Sequence, residues 1–557
     1  MTPDANIASV IPRMAEDRPF APAIFFPDGR SAAGRMRYTH YTYRQLDAES
    51  DVLAAGLEAA GIGRGVRAAL LVKPSLEFFA LTFAIFKAGA VPVLVDPGIG
   101  PKNVGACLAE AEPEAFIGIP AAHAARVVLG WGRKTVRRLV TVGPRWFWGG
   151  ETMESLRARG APRAAAGWRM ARTAADEVAA VLFTSGSTGI PKGAVYLHGN
   201  FMAQVDSIRG LTGIRAGEID LPTFPLFALF DPALGMTTVI PEMDFARPGA
   251  VNPDRIFEAI ADFGCTSMFG SPALLDVVGR AGERGGVRLP TLRRVISAGA
   301  SVRADIMQRF LAMLPEGALI HTPYGATESL PVASVTSATV LGETQAMTAR
   351  GRGVCVGHPV PEAEVRIIRI SDAPIATWDD ALCVPPGEVG EIVVKSPMVT
   401  PAYYGRADQT ALAKIGDPGA PGGVRHRMGD LGYLDAAGRL WFCGRKSHRI
   451  ETADGPLFTE PNEMVFNAVP GVRRTAAVGV GAPGRQEPVL VVEVEAGHPA
   501  AADRAALLGA LRAAGEAVPS ASRFSRMVFH PSFPVDIRHN AKIDRPALAR
   551  WVEQGAR

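Results

Sequence analysis

The stretch that restricts the fold most is RAALLVKPSLEFFALTFAIFKAGAVPVLVDPG, at residues 67–98. It consists of a short apolar run, a longer apolar segment that ends near Gly89, and a second short apolar run. A strand, a helix and a second strand in that order form the repeating unit of parallel sheets. Similar alternations occur in VAAVLFTSGSTG and in TLRRVISAGAS. The sequence therefore predicts an α/β protein with doubly wound sheets, and ligands at the carboxyl ends of the strands.

The pattern becomes richer in strands and turns after about Gly353. The segments AEVRIIRI, GEVGEIVVKSP and LGYLDAAGRLWFCGR predict antiparallel strands in a smaller, barrel-like subdomain. An Ala/Arg-rich stretch at 156–175 is expected to be a surface loop.

A compact α+β unit is predicted beyond Arg445. It contains the strand-like segment PVLVVEVEAG and an Ala-rich helix at about 501–516. We therefore expect a large N-terminal domain, residues 1–445, and a small C-terminal α+β domain, residues 446–557.

The composition and the net charge do not indicate a particular class of binding partner. Of the 557 residues, 48% are apolar and 20% are charged, as in globular proteins of several domains. Lys and Arg exceed Asp and Glu by 59 − 55 = +4. This excess is too small to predict binding to nucleic acid or to an anionic membrane.

Targeting signals are not visible. The five cysteines are far apart and form no CxxC pair, which favours a reduced, cytoplasmic protein. The chain begins without a basic segment followed by a long apolar one, so we expect no signal peptide. Charged residues and prolines interrupt the most apolar region, residues 68–97. We expect no transmembrane segment, which needs about 20 apolar residues.

A loop rich in Gly and Ser follows the predicted strand VAAVLF. Its residues are Thr184, Ser185, Gly186, Ser187, Thr188, Gly189, Ile190, Pro191, Lys192 and Gly193. The backbone N–H groups, hydroxyls and lysine of such a loop can wrap a polyphosphate. A surface turn is the alternative, but this loop leaves a buried strand at the end where α/β proteins bind ligands. It is not a Walker loop, because no Ser or Thr follows Lys192.

A second motif, Tyr324-Gly325-Ala326-Thr327-Glu328, completes a pattern that resembles the adenylate-forming superfamily of acyl-CoA synthetases, peptide-synthetase adenylation domains and luciferases. The resemblance implies that residues 184–192 hold the β- and γ-phosphates of ATP. It also implies that adenine stacks on Tyr324 beside Gly325, and that Thr327 contacts phosphate. Glu328 is the implied ligand of Mg²⁺, so ATP and Mg²⁺ are the expected cofactors.

Further segments occur in the order of that family. Gly299 and Ala300 resemble the small-residue segment against which adenine lies, and Asp430 resembles the carboxylate that bonds the ribose hydroxyls. Arg445 matches the hinge segment and is expected among the nucleotide contacts. Lys542 resembles the mobile C-terminal lysine. The resemblance therefore implies that the N-terminal domain binds ATP and the acid, and that the C-terminal domain, which carries this catalytic lysine, is mobile. Each of these side chains alone could be an ordinary cap, ion pair or solvated charge, but their order over most of the chain favours the family.

The resemblance implies an AMP-forming ligase. The substrate carboxylate would attack the α-phosphorus of ATP and expel pyrophosphate. Because several negative charges must meet, cations and in-line orientation should supply most of the catalysis. The expected catalytic residues are Lys542, Lys192 and Glu328.

The second step is expected to differ from transfer to a thiol. Coenzyme A ligases commonly have His where this chain has Ala228, and the hinge is followed by Lys446-Ser447-His448 in place of acidic residues. The segments at 224–235 and 239–244 resemble the branch of the superfamily that makes β-lactones in olefin biosynthesis. That branch adenylates a 2-alkyl-3-hydroxy fatty acid and closes it to a β-lactone with release of AMP.

The same resemblance suggests a substrate pocket and partners. Phe224, Phe227, Ala228 and Phe230 are the candidate pocket residues, although any one of these aromatics could simply belong to the core. The pathway's thiolase-like condensing enzyme, reductase and β-lactone decarboxylase are possible assembly partners. Two alternatives stay open: a long-chain acyl-CoA or acyl-carrier ligase, and a non-catalytic protein that binds an adenylate.

Overall fold

Twenty-six strands form two large sheets and two small ones in the computed structural model, which describes residues 5–183, 191–499, 503–535 and 543–555. In chain order the strands are β1 (Pro22–Arg30), β2 (Met36–Thr42), β3 (Arg67–Leu71), β4 (Val91–Leu94), β5 (Ala115–Gly118), β6 (Arg138–Thr141), β7 (Glu151–Thr152), β8 (Val178–Phe183), β9 (Gly193–Leu197), β10 (Ile219–Pro222), β11 (Thr237–Val239), β12 (Ser267–Phe269), β13 (Arg294–Ile296), β14 (Leu319–Ala326), β15 (Ser329–Thr336), β16 (Val354–Pro359), β17 (Glu364–Ile368), β18 (Gly390–Lys395), β19 (Lys414–Gly416), β20 (Val424–Leu434), β21 (Leu440–Arg445), β22 (Ile450–Thr452), β23 (Gly455–Leu457), β24 (Val472–Val480), β25 (Glu487–Val494) and β26 (Arg526–Phe529).

The helices lie between the strands. They are α1 (Val10–Asp17), α2 (Tyr43–Ala59), α3 (Leu76–Lys87), α4 (Pro101–Ala111), α5 (Pro120–Leu129), α6 (Met153–Ala165), α7 (His198–Thr212), α8 (Pro225–Ala228), α9 (Asp231–Leu234), α10 (Pro253–Phe263), α11 (Pro272–Gly285), α12 (Ala304–Leu311), α13 (Ser337–Thr339), α14 (Gln345–Met347), α15 (Ala407–Ala413), α16 (Thr459–Asn467), α17 (Arg504–Glu516) and α18 (Arg545–Glu553). Residues 337–352 form irregular helical turns.

The seven-stranded sheet has the order β7-β6-β5-β3-β4-β8-β9. Its strands are parallel except for the pair β8 and β9. The 14-stranded sheet has the order β17-β18-β20-β21-β16-β15-β14-β13-β12-β10-β11-β1-β2, with β19 beside β20. Its segment from β14 to β1 is parallel, and antiparallel strands flank it.

The largest apolar core lies between these two sheets. It contains side chains of α2, α3 and α7 together with residues of β3, β8 and β12. The helices α10, α11 and α12 cover the other face of the 14-stranded sheet. The other face of the seven-stranded sheet packs on α4 and on the residues around Trp131. Both large sheets therefore have helices on both faces, which confirms the predicted α/β fold with doubly wound sheets.

The strand-rich part after Gly353 differs in one respect from the sequence prediction. Its strands β16–β21 are mostly antiparallel, as predicted, but they do not form a separate sheet. The strand β16 pairs with β15 through Ala333 and Pro359, and with β21 through Val354 and Phe442. Hydrogen bonding thus continues from the parallel sheet into the β-rich part.

The C-terminal unit is built on β24, β25 and β26. One face of this sheet packs on α16 and α17, and the other on α18. The predicted Ala-rich helix is α17, Arg504–Glu516. No helix in the described ranges combines the length and the apolar character needed to cross a membrane.

The expectation of a surface loop at 156–175 is wrong over its first part, because α6 extends to Ala165. The helix begins with a capping box, in which Thr152 and Ser155 exchange hydrogen bonds between side chain and backbone. Such reciprocal bonds satisfy N–H groups that a helix start leaves unpaired. Pro162 lies inside the helix but does not end it.

The helices α2 and α6 cross at very close range. A Cβ atom added at Gly160 would lie 1.8 Å from the carbonyl oxygen of Val52, and one added at Gly56 would lie 2.3 Å from that of Leu156. Both distances are far below van der Waals contact. The two backbones can therefore meet only because these positions lack side chains.

We expect Gly160→Leu to lower the thermal midpoint of unfolding by several degrees. Overpacking typically costs about 1–3 kcal/mol, and each kcal/mol shifts the midpoint of a domain of this size by about 2–4 °C. Differential scanning calorimetry measures the shift. Gly210→Leu is the matched control, because Gly210 lies in α7 with no atom within 4 Å of an added Cβ. An equal loss in both variants would contradict this account of the crossing.

Candidate functional site

The carboxyl ends of strands from both large sheets lie around a cleft of about 2790 Å³. Residues that follow β3, β4, β8, β10 and β13 line it, and so do residues of the C-terminal unit. The sequence predicts ligands at these strand ends. The predicted nucleotide residues of the described ranges converge on this cleft.

Tyr324, Asp430 and Arg445 form one group in the cleft, joined by a hydrogen bond and an ion pair. Tyr324 Oη donates a hydrogen bond to Asp430 Oδ2 at 2.6 Å. Arg445 Nη1 lies 2.9 Å from Asp430 Oδ1. The pairing of β20 with β21 sets this arrangement, because it places Asp430 directly opposite Arg445. Burial and the Asp430 carboxylate raise the pKa of Tyr324, so its hydroxyl is a hydrogen-bond donor at neutral pH.

Gly299 and Ala300 lie where the chain leaves β13. Gly299 has a φ of 94°, in the region that favours glycine because it lacks a Cβ. Both residues line the cleft, as Tyr324 does. The small side chains leave the backbone of this segment open to a flat ligand beside the Tyr324 ring.

Glu328 lies in the turn between β14 and β15, with 9% of its surface exposed. Tyr403 Oη donates a hydrogen bond to Glu328 Oε1. Lys192 Nζ lies 5.2 Å from the centre of the Tyr403 ring. The structure therefore brings together Glu328 and Lys192, which the sequence analysis predicted separately, and joins them through Tyr403.

Burial lowers the pKa of Lys192, while the nearby Glu328 carboxylate acts in the opposite direction. Since the ammonium is partly desolvated, an anionic ligand would meet a strong positive field. Lys192 and Glu328 both line the cleft. Their positions suit the recognition of an anion together with a cation.

The surroundings of Glu328 are compatible with Mg²⁺. No group of three His, Cys, Asp or Glu side chains suited to hold a metal occurs among the described residues. A metal at Glu328 would thus have one protein carboxylate, with the remaining ligands from water and substrate phosphates. Mg²⁺ is commonly bound in this way.

A buried polar layer behind Glu328 was missed by the sequence analysis. The backbone N–H of Thr400 donates to the Glu328 carbonyl oxygen at 2.9 Å. Lys414 Nζ donates to Thr400 Oγ1 at 3.4 Å, and His426 Nδ1 lies 3.2 Å from the carbonyl oxygen of Ala413. Burial lowers the pKa of His426 and lowers that of Lys414 from 10.5 to about 7. The sequence offers only one weak signal for this layer, a lysine within the apolar run ALAKIG.

The other residues of the Tyr324 motif also contact neighbours in the cleft. Thr327 accepts a hydrogen bond from Tyr196 Oη at its carbonyl oxygen. Gly325 has no room for a side chain, because a Cβ there would lie 2.6 Å from the carbonyl oxygen of Ser329. The motif is thereby fixed in the tight turn between β14 and β15.

Three of the four predicted pocket residues line the cleft. Phe227 stacks on Phe269 with ring centres 4.3 Å apart and lies 6.1 Å from the Phe230 ring. Phe224, with 43% of its surface exposed, also lines the cleft. Ala228, in contrast, is fully buried in the core between the sheets. The aromatic segment at 224–230 thus contributes one apolar wall.

Two predicted elements lie outside the described residues: the loop Thr184–Gly189 and Lys542. Described residues adjoin both of them. Phe183 and Lys192, on either side of the loop, line the cleft. Val535 and Ile543, on either side of the segment with Lys542, form an antiparallel bridge and also line it.

A buried network of ion pairs surrounds the predicted domain boundary. Arg427 and Glu391, each with 1% of its side chain exposed, form an ion pair of 2.6 Å. Lys446 Nζ lies 2.9 Å from the other oxygen of Glu391 and donates to the carbonyl oxygen of Ser371 at 2.8 Å. The first residue after the predicted boundary is therefore tied to the N-terminal part.

Comparison with known proteins identifies relatives over the whole chain. Residues 12–404 match a family described as AMP-binding enzyme. An olefin beta-lactone synthetase from Xanthomonas campestris pv. campestris is 52% identical over 557 residues, which cover 100% of this chain and 98% of the relative. One from Stenotrophomonas maltophilia is 53% identical over 556 residues, with 99% of each chain covered.

Solved structures share the fold at lower identity. The amide bond synthetase McbA from Marinactinospora thermotolerans has a TM-score of 0.76 at 24% identity, covering 98% of this chain and 99% of that one. ATP-bound MatB from Rhodopseudomonas palustris has a TM-score of 0.74 at 21% identity, covering 100% and 99%. At this identity the likeness shows the fold alone.

Lys414 should make stability depend on pH. Its pKa in the folded protein is about 7, whereas an unfolded lysine titrates at about 10.4. Below that value the unfolded chain binds the additional proton, so the penalty for burying Lys414 grows as the pH falls towards 7. Lys414→Met removes this penalty. The difference in unfolding free energy between the variant and the wild type should therefore increase, in favour of the variant, by a few kcal/mol as the pH falls from about 10 to about 7.

Thermal unfolding at several pH values measures this difference between the variant and the wild type. Lys102→Met is the control, because Lys102 is an exposed lysine of α4. Its pH profile should run parallel to that of the wild type. Parallel profiles for Lys414→Met as well would show that the Lys414 ammonium is not desolvated.

Proposed function

The chain belongs to the AMP-binding enzyme family, and we propose that it is an ATP-dependent, AMP-forming β-lactone synthetase of olefin biosynthesis. Its substrate is a 2-alkyl-3-hydroxyalkanoic acid, which it adenylates and closes to a β-lactone. The observation that carries the proposal is the full-length identity of 52% and 53% to two relatives with this activity in their names. The arrangement of the cleft supports it independently.

Nucleotide binding is assigned to the group around Asp430. The Asp430 carboxylate accepts a hydrogen bond from Tyr324 at one oxygen and forms an ion pair with Arg445 at the other. An ionised carboxylate is well suited to accept from two adjacent ribose hydroxyls. Adenine is assigned to the space between Tyr324 and the backbone of Gly299 and Ala300, all of which line the cleft.

In the first step, a carboxylate oxygen of the acid bonds to the α-phosphorus of ATP, and the bond from that phosphorus to the departing pyrophosphate breaks. Both reactants are anionic, so oriented positive charge lowers the barrier. Lys192 supplies such charge beside Glu328. The proposal assigns the same task to Lys542 and assigns the phosphates to the loop Thr184–Gly189, on the sequence resemblance.

Mg²⁺ is assigned to Glu328, and it neutralises charge on the phosphates when bound. Tyr403 holds one carboxylate oxygen of Glu328 through its hydroxyl. Thr400 holds the backbone of the same residue. These contacts fix the position and the direction of the carboxylate before any ligand binds, which is the condition for effective electrostatic stabilisation.

In the second step, the 3-hydroxyl oxygen bonds to the activated carbonyl carbon, the bond from that carbon to the AMP oxygen breaks, and the hydroxyl proton passes to a base. Nucleophile and carbonyl belong to one molecule. Such intramolecular reactions reach effective molarities of about 10⁵–10⁸ M when well oriented. An enzyme that orients the acid in this way needs no thiol substrate.

The apolar part of the cleft supports a substrate with alkyl chains. Phe224, Phe227 and Phe230 line it, and Phe269 extends the same wall by stacking on Phe227. Apolar walls with a few polar groups at one end are typical of sites for lipophilic acids. The carboxylate would then lie towards the polar end, near Lys192.

We propose that the enzyme acts in the cytoplasm. The five cysteines are free thiols in the structure, which supports a reducing compartment such as the cytoplasm. Assembly with the condensing enzyme, reductase and decarboxylase of the pathway is part of the proposal on the sequence resemblance alone.

The role of Tyr403 in positioning Glu328 leads to a mutational prediction. Tyr403→Phe removes the hydroxyl that donates to Glu328 Oε1. Hydrogen bonds to charged groups contribute about 1.5–3 kcal/mol, so the Mg²⁺ concentration for half-maximal pyrophosphate exchange should rise roughly tenfold or more. Tyr404→Phe is the matched control, since the Tyr404 ring lies beneath Arg67 instead. An unchanged Mg²⁺ requirement in Tyr403→Phe would exclude this role.

The second step leads to a prediction about the product. With a 2-alkyl-3-hydroxy acid, ATP and Mg²⁺, the enzyme should release AMP and a β-lactone without coenzyme A. Added coenzyme A should change neither the rate nor the product. A matched acid without the 3-hydroxyl should stop at bound acyl-adenylate, because the attacking oxygen is missing. Proton NMR of a cooled sample identifies the ring protons, and an acyl-CoA as main product would refute the lactone assignment.

A further inference from the structure

An exposed apolar surface lies at the edge of the seven-stranded sheet. Five large apolar side chains form it: Val127 (44% exposed), Val128 (81%), Leu129 (51%), Trp146 (55%) and Phe147 (78%). Val127, Val128 and Leu129 end α5, and Trp146 and Phe147 belong to the loop between β6 and β7. We call these five residues the α5 surface. Large apolar side chains at such exposure usually mark an interaction site.

Contacts within the structure hold the two parts of the α5 surface together. Trp148 stacks on His123 of α5, with ring centres 5.1 Å apart and an angle of 11°. Val127 lies one helical turn beyond His123, on the same side of the helix. Trp148 Nε1 also donates to Thr141 Oγ1 at 3.0 Å. The loop is thereby anchored on α5, while the neighbouring Trp146 and Phe147 remain exposed.

Positive charge surrounds this surface. Between Phe116 and Gly150 the chain contains six Arg or Lys residues and no Asp or Glu. Arg133, Lys134 and Arg137 are exposed in the turn that follows α5, and Arg145 is exposed next to Trp146. Arg138 is half-buried and lies 3.9 Å from Glu114, outside this stretch. The local excess of positive charge is therefore concentrated around the exposed apolar side chains.

We propose that the α5 surface docks the protein onto an anionic lipid bilayer. Trp and Phe are suited to the boundary between headgroups and acyl chains, where Trp also keeps a polar N–H group near water. Basic side chains around them are attracted to anionic headgroups. Positive charge without neighbouring carboxylates is complementary to an anionic headgroup layer, and the exposed aromatic side chains can enter the boundary beneath that layer.

The position of α5 links this surface to the cleft. Ile119 and Ala122, at the start of the helix, line the cleft, whereas Val127 and Leu129 at its end are exposed. One short helix therefore borders both the cleft and the docking surface. An enzyme seated in this way would have its cleft close to the bilayer, where acids with long alkyl chains accumulate.

Sedimentation of the full chain with lipid vesicles tests the proposal. The wild type should bind vesicles that contain phosphatidylglycerol, bind pure phosphatidylcholine vesicles much less, and lose binding as salt increases. The variant Arg133→Glu/Lys134→Glu should lower the partition coefficient about tenfold or more, because each basic residue near an anionic surface contributes about fivefold. The variant Trp146→Ser/Phe147→Ser should lower it by a similar factor.

Two controls separate docking from damage to the protein. Arg512→Glu/Arg550→Glu changes the charge equally at exposed positions of the C-terminal unit, and Phe20→Ser removes an aromatic side chain that is 77% exposed elsewhere. Both should bind vesicles like the wild type. All variants should keep the wild-type rate of pyrophosphate exchange with a short, water-soluble 3-hydroxy acid, which shows that the fold is intact.

Three results would overturn the proposal. The wild type could fail to sediment with anionic vesicles, or both α5-surface variants could bind them like the wild type. Size-exclusion chromatography could also show that the wild type forms an oligomer without lipid and that Trp146→Ser/Phe147→Ser dissociates it. The surface would then be an interface between copies of the chain.

Discussion

The apolar core shared by the two large sheets is the constraint on which the site depends. Both sheets pack on α2, α3 and α7, and their strand ends can open into one cleft only because this packing fixes their relative position. Helix α3 is buried on all sides from Phe78 to Lys87. The ammonium of Lys87 lies 2.6 Å from carboxylates of both Asp47 and Asp51. A buried charge paired in this way does not bear the full cost of desolvation.

The sequence allowed residues to be assigned to a proposed nucleotide site, but it did not predict how these residues contact each other. Asp430 and Arg445 were recognised in separate segments, and their ion pair depends on the register between β20 and β21. Alternation of apolar and polar residues predicts strands and the face of each side chain, while register and partner strand depend on distant parts of the chain. For the same reason the pairing of β15 with β16, which joins the β-rich part to the larger sheet, could not be predicted.

The residues missed by the sequence analysis share a physical cause. Tyr403, Lys414 and His426 come from a loop and two strands that no motif connects, and they become significant only where the fold buries them behind Glu328. Lys414 would count as a solvated charge in the sequence alone. The start of α6 was missed for a different reason. Its capping box has Ser in place of the usual Glu or Gln at the third helical position, so the standard sequence signature does not detect it.

The net charge of the whole chain does not reveal a local excess of positive charge. An excess of +4 over 557 residues gave no reason to expect an anionic surface as partner. Electrostatic interactions between exposed groups are screened beyond about 8–10 Å at physiological ionic strength. A docking surface therefore responds to the charges within that distance, and compensating carboxylates elsewhere in the chain do not weaken it. The stretch from Phe116 to Gly150 carries six positive charges without an acid, and it was visible in the sequence. Its importance depends on the exposure of Trp146 and Phe147 beside it, which only the fold determines.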